Sequence, residues 1–344
     1  MKSFLKTSAV AAAMAVAAFT TAEAKTLRIQ TSANSGDFTF KYINENWVPK
    51  LASMSGGDLK LKLLPIDSVV PAKESLDAMQ AGVLDGVYNF VGRFAGKDPA
   101  YAILGDLVAA YDTPEQAQTF CMNGGGKEML QKVHDKYTNG KVHVIGCGPF
   151  SREPLVAAKE IRGVDDMKGV KIRAPQGLSS LLWQEVGATP VPIPYSEIYT
   201  SLDKGIIEAA NGSSYSNNAA AGLHRLAPYP IYPGIASQAV IQFAVNDRVW
   251  QSLNDGQQAM LETWYMAMST DVRRASMIRG RELVAEDRAG DGPVEKVVDW
   301  PQAERDKLRE IAKGAWQEMA SRSPLAEEAY QTQLEFLRMY GLVD

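Results

Sequence analysis

Histidine and cysteine, the residues most often found at metal and catalytic centres, are nearly missing from this chain: 344 residues contain three histidines and two cysteines. His134, His143 and His224 have no partner at metal-ligand spacing and stand beside no cysteine cluster, so they are expected to be ordinary surface or edge residues. No G-x-x-x-x-G-K-[ST] phosphate loop occurs, and Gly124-Gly125-Gly126 reads as a loop or helix entry. A G-x-S-x-G nucleophile elbow is likewise missing. The formal net charge is −4 and no basic run exists, which argues against nucleic acid or an anionic membrane as partner. A small anionic ligand stays open, because two local arginines outweigh net charge within a site.

Long apolar runs are also lacking: past the N-terminus nothing approaches the ~20 uninterrupted apolar residues of a transmembrane helix. The N-terminus itself carries Lys2 and Lys6, an uncharged run from Ala9 to Phe19, and Ala22-Glu23-Ala24 before Lys25. This reads as a signal peptide, residues 1–24, cleaved after Ala24. The expected product is a soluble periplasmic protein that does not itself span the membrane. In that compartment Cys121 and Cys147 are either one disulfide closing a loop of about 27 residues or two buried thiols.

What the chain does contain is a repeat. Pro71, Glu74, Gly82 and Asp85 recur 123 residues later as Pro194, Glu197, Gly205 and Glu208. Each copy ends in a strand-like run, Val87 to Phe90 and Ala209 to Gly212. A period this long is no solenoid. Two similar halves in a chain too long for one core imply two α/β lobes with a ligand cleft between them.

Around the repeat, strand and helix patterns alternate. Strands are expected at Thr26–Gln30, Leu59–Leu64, Lys141–Ile145, Val170–Arg173, Val191–Ile193 and Ala239–Asn246. Helices are expected at Phe38–Leu51, Ser75–Ala81, Leu178–Val186 and Tyr195–Lys204, and Gly146–Pro149 is expected to cross between lobes. Asn254 and Asp255 offer N-cap chemistry and Gly290 a stop. Between them Leu261, Trp264, Met268, Val272, Ala275 and Ile278 share one helical face. The segment is either one helix of about 50 Å running along both lobes or two helices broken near Gly280. The resulting division is 25–149 plus 239–278 for lobe I and 150–238 plus 279–344 for lobe II.

Arginines stand where strands end. Arg173 closes the Val170 strand ahead of Ala174-Pro175, and Arg152 follows Gly148-Pro149. A guanidinium matches a carboxylate with forked donors and stays charged at physiological pH.

The run Gly163-Val164-Asp165-Asp166-Met167-Lys168-Gly169-Val170-Lys171-Ile172-Arg173 resembles the D-[LM]-K-G-x-K-[IL]-R strand of solute-binding proteins of tripartite ATP-independent periplasmic (TRAP) transporters. Gly187-Ala188-Thr189-Pro190-Val191-Pro192 and Pro194 to Tyr199 are similar to the same family, the DctP-like receptors. The resemblance implies a two-lobed periplasmic-binding-protein fold that closes on a small organic acid and delivers it to an ion-driven permease. It also implies that Arg173 pairs with the ligand carboxylate, with Arg152 and Asn211 as further contacts. Phe90 and Arg93 are expected on the opposing wall, and Ser214 and Ser237 complete the candidate set.

Residues 92–100 and 227–234 resemble the keto-acid and lactate branch of the family. Metal-holding members of that branch carry an acid beside a Trp after the second repeat and another acid after Pro-Gly. This chain has Asn211-Gly212 and Ile235-Ala236-Ser237 there, so neither metal nor cofactor is expected. The rival readings are a receptor for a sensor kinase or an ATP-driven importer, and an exported lyase or isomerase with Glu197 or Asp85 as base.

Overall fold

The computed structural model describes residues 24–344 apart from positions 176 and 236. Residues 1–23 of the expected signal peptide lie outside the described residues. The chain opens with β1 (Lys25–Thr31), α1 (Phe38–Asn46), α2 (Val48–Met54), β2 (Leu59–Leu64), α3 (Ser75–Gln80) and β3 (Gly86–Phe90). It continues through α4 (Ala100–Gly105), α5 (Pro114–Asn123), α6 (Gly126–Thr138) and β4 (Val142–Pro149). Then follow β5 (Leu155–Ala157), β6 (Lys171–Arg173), α7 (Leu178–Glu185), β7 (Thr189–Val191), α8 (Ile198–Asp203), β8 (Ala209–Asn211) and α9 (Tyr215–Ala220). The last elements are β9 (Val240–Asn246), α10 (Asp247–Gln251), α11 (Asp255–Ala289), α12 (Gln302–Ala320) and α13 (Pro324–Met339).

Two sheets result, ordered β2-β1-β3-β9-β4 and β5-β8-β6-β7. Within each, three parallel strands take the order second-first-third, β2-β1-β3 and β7-β6-β8, and an antiparallel strand, β9 or β5, pairs with the third. The sequence repeat is the wiring of this unit. Asp85 accepts the Arg28 N–H with its carboxylate (2.8 Å) and donates its own N–H to the Arg28 carbonyl. Glu208 does the same with Lys171, at 3.0 Å. Each acid thereby clamps the third strand to the first at the point where pairing begins. Gly82 and Gly205, three residues earlier, both turn with positive φ, +75° and +65°, a conformation costly for residues with a Cβ. The duplicated Glu74 and Glu197 are exposed just ahead of α3 and α8.

One apolar core lies under the first sheet, where Leu27, Ile29, Leu59 and Phe243 pack on Trp264, Met268 and Val272 of α11. A smaller core fills the second unit around Val156, Ile198, Ala210 and Leu223. A third joins the two, running from Phe94 and Leu130 through Ile172 and Trp183 to Trp316 on α12. α12 packs on α7 of the second unit and on α4 and α13, while α13 packs on α4 and α6.

Several elements differ from the sequence reading. The helix expected over Phe38–Leu51 breaks at Trp47, because Pro49 has no N–H to continue the ladder and is instead accommodated in the first turn of α2. β4 runs on to Pro149, with an irregularity between Val144 and Gly146, so Gly146–Pro149 is strand and the crossing follows it. The strand expected at Val191–Ile193 sits two residues earlier. α11 is one unbroken helix of 35 residues, started by the Asn254–Gln257 capping box and stopped by Gly290 with φ +85°. Its buried face follows the expectation up to Val272 and then turns through Ser276 and Gly280, leaving Ile278 exposed. There the helix leaves the first unit and lies against Tyr215 of α9. Cys121 on α5 and Cys147 on β4 form a disulfide, with Cα atoms 5.7 Å apart.

Two of the histidines, His134 and His224, are buried, and His143 lies half-buried on the edge strand β4 as expected. His134 is fully buried, its Nε2 against Gln242 Oε1 (2.6 Å) and its Nδ1 against the Tyr101 hydroxyl (2.9 Å). Burial lowers its pKa to about 4, so the ring is neutral at physiological pH. His224 is buried beside Tyr215, and half-buried His143 stacks on Trp250 at 4.0 Å. Gly125 and Gly126 form the entry to α6, as expected.

Candidate functional site

The chain leaves the first sheet after Pro149, enters the second at Leu155, and returns between Ser237 and Val240. The two crossings are hydrogen-bonded to each other through an antiparallel bridge between Glu153 and Ser237. Above this pair lies a cavity of about 730 Å³, walled by Phe90 and Arg93 from the first unit and by Arg173, Pro175 and Tyr195 from the second. Phe90 folds its ring over Gly92 and leaves no room for a Cβ there.

Arg173 is 8% exposed at the end of β6. Its Nε donates to the Ile193 carbonyl (3.0 Å) and its Nη1 to the Asn211 carbonyl (2.5 Å). Among the described residues no acceptor meets Nη2, so one end of the fork is fixed by backbone and the other faces the cavity. Desolvation lowers its pKa to about 10, which leaves it charged at neutral pH. Burial likewise lowers the pKa of Arg93.

Phe90, Arg93, Arg173 and Ser237 meet in this cavity, and the other three expected contacts do not. Arg152 lines a separate pocket of about 90 Å³ with Asp112, Arg305 and Arg309. Adjacent residues of an extended segment project to opposite sides, so with Glu153 turned into the cleft Arg152 points away. Asn211 is buried, its backbone carbonyl accepts from Arg173, and among the described residues its side-chain amide has no hydrogen-bond partner. Ser214 caps α9, accepting the Asn217 N–H, and is 1% exposed. Asp85 is committed to its strand clamp and Glu197 lies outside the cavity wall, so neither is placed as a catalytic base.

Sequence reasoning missed the acidic side of the cleft. Ser237 Oγ lies within hydrogen-bond distance of Asp106 and of Glu153 (2.9 Å). Asp106 also accepts the Gln238 N–H. Burial raises the Asp106 pKa to about 6 and that of Glu153 to about 8, the neighbouring Asp106 charge adding to the latter. Their positions, one past α4 and one beside the more conspicuous Arg152, gave no pattern to read. Asn217 was also missed: its side-chain oxygen accepts the N–H of Phe38 at the start of α1, a contact from the second unit to the first. Among the described residues no group of three His, Cys, Asp or Glu could hold a metal ion, and no helix is long and apolar enough to cross a membrane.

The family model of the bacterial extracellular solute-binding proteins, family 7 (DctP), matches residues 29–323. A TRAP periplasmic solute-binding protein from Rhodobacter sphaeroides, solved in an open form without ligand, is 34% identical. That match covers 92% of this chain and 99% of the other, with a TM-score of 0.78. A monocarboxylate 2-oxoacid-binding periplasmic protein from Nostoc sp. is 26% identical over 83% of this chain and 77% of its own length. A Rhodoferax ferrireducens TRAP solute-binding protein with bound malonate shares the fold, at a TM-score of 0.78 and 19% identity over 91% and 98% of the two chains. A two-sheet fold, a cleft over paired crossings and a family match across most of the chain agree: this protein belongs to the family 7 extracellular solute-binding proteins, the receptors of TRAP transporters.

Proposed function

We propose that the mature chain, exported and cleaved after Ala24, captures a small organic acid between its lobes and delivers it to an ion-driven TRAP permease. The ligand carboxylate pairs with Arg173, and Phe90 and Arg93 close over it from the other wall. A ligand that touches both walls contacts the closed state more fully and shifts the population toward it. The observation carrying this reading is the Arg173 guanidinium, buried, held by two backbone carbonyls, and without an acceptor at Nη2 among the described residues. The lobes divide at the crossings near 149 and 239, with α11 running along both. The 2-oxoacid ligand of the Nostoc relative and the malonate of the Rhodoferax protein keep short carboxylates at the head of the list.

Isothermal titration of the protein from Lys25 onward against keto, hydroxy, dicarboxylic, aromatic and sulfonic acids tests the reading. One class should saturate the site. Arg173→Gln should weaken that binding by roughly 30-fold to several thousand-fold, the equivalent of about 2 to 5 kcal/mol for a truncated, desolvated charge pair. Affinity kept within a factor of three removes Arg173 as the anchor.

A further inference from the structure

The cleft has a second pole. Ser237 Oγ lies between Asp106 and Glu153, and a hydroxyl has one hydrogen, so it cannot donate to both carboxylates at once. Without ligand, the chain of three groups is satisfied only when one carboxyl carries a proton and donates it to Oγ. Glu153, like Arg173, is 8% exposed and lines the cavity, and among the described residues its Oε1 meets no donor. An uncommitted acceptor and an uncommitted guanidinium thus share one cavity, yet they form no ion pair within 4.0 Å among the described residues.

The surrounding wall is close to electrically balanced. It carries Lys73, Arg93, Arg173 and Arg322 against Asp37, Asp106 and Glu153. Arg322 is paired with Glu318, and Asp37 accepts the Asn34 N–H. A carboxylate alone pairs with Arg173 but brings no donor to Glu153 Oε1, whereas a ligand that also carries a donor at its other end meets both poles of the cleft.

We propose that the ligand is a dipolar acid whose carboxylate is held by Arg173 and whose protonated amine is accepted by Glu153, with Asp106 behind it. This rests on the receptor reading above and names the ligand class of the same site. The ammonium takes the place of the shared proton, so both carboxylates can ionise, with Arg93 of the same wall balancing the negative charge that Arg173 and the ammonium leave over.

The test uses matched trios on one carbon skeleton: the carboxylic acid, the amino acid, and the amine without the carboxylate. Propionate, β-alanine and ethylamine form one such trio, and longer and cyclic skeletons extend it. Calorimetry on the full mature protein should find, for at least one skeleton, that the amino acid binds at least 30-fold tighter than either relative. Both Arg173→Gln and Glu153→Gln should remove that preference.

Should Glu153→Gln not fold, pH on the wild-type protein supplies the readout. The groups facing Glu153 are Asp106, Ser237 and Arg173, with Arg93 and Tyr195 next to Arg173. Glu153 ionises near pH 8, so amino-acid affinity should rise several-fold from pH 6 to 8.5, whereas a plain acid should weaken. A plain acid that binds as tightly as its amino counterpart, with Glu153→Gln neutral, overturns the dipolar reading and leaves the receptor reading standing. Amine binding that ignores Arg173→Gln, or no binding by any carboxylate, overturns both.

Discussion

Arg173 and Glu153 are both nine-tenths buried, yet only one was legible in the sequence. Arg173 ends a short β run just before Ala174-Pro175, where a strand must stop and its last side chain faces the loops. Glu153 lies beside an arginine in a non-repetitive crossing. Which of two neighbours enters the cleft there depends on the phase of an extended segment, set by the bridge to Ser237, 84 residues on. The acid has a measurable consequence. Its carboxyl titrates near 8 when folded against 4.5 in the free side chain, so the folded state binds more protons between those values. Its contribution is whole below pH 4.5 and is lost as pH rises toward 8, at up to about 1.4 kcal/mol per pH unit. Glu153→Gln should therefore gain stability relative to wild type between pH 5 and pH 9 in ligand-free urea unfolding. A difference that stays constant with pH would show that Glu153 is not held protonated.

At the scale of elements, the duplicated unit was legible because its signature residues perform local, backbone-level work. Asp85 and Glu208 bind the strand beside them, and Gly82 and Gly205 make the preceding turn. Among the described residues nothing lies within 4 Å of a Cβ built on either glycine, so the positive φ is what resists substitution. Gly82→Ala and Gly205→Ala should each cost about 1 kcal/mol, by similar amounts, in equilibrium unfolding. Strongly unequal costs would mean that the two turns are not equivalent. The buried histidines were illegible for the opposite reason. His134 is stabilised by Tyr101 and Gln242, which lie 33 and 108 residues away, and no local pattern announces such partners. The exposure of Ile278 has the same origin, since the buried stripe of α11 follows whichever lobe it crosses.

For the whole molecule, the apolar periodicity and caps of α11 marked its two ends but left open a break near Gly280, whereas the placement of α13 on α4 and α6 left no sequence trace. A helix of 35 residues, about 50 Å long, packed on both units resists any motion except one it can follow by bending or sliding. Closure should appear in small-angle scattering as a reduced radius of gyration when saturating ligand is added, and Arg173→Gln should stay open at the same concentration. An unchanged radius on saturation would mean that the ligand binds without closure. The Cys121–Cys147 disulfide ties α5 to the strand that leads into the crossing. Its removal by Cys121→Ala with Cys147→Ala should lower stability by about 3 kcal/mol in chemical unfolding, from loop entropy alone.

Glu153 and Ser237 are at once the paired crossings and part of the cavity wall, which sets a lever problem. Points near a pivot hardly travel as the arms swing, so groups at Glu153 and Ser237 keep their distances to the ligand whether the cleft is open or shut. Points farther out on the arms sweep through a larger arc, whereas Phe90, paired with Ile241 just past the returning crossing, stays near the pivot. Chemical identity is then inspected early, at the quiet fulcrum, and the size of a ligand is gauged last, by how far the jaws can travel before meeting it.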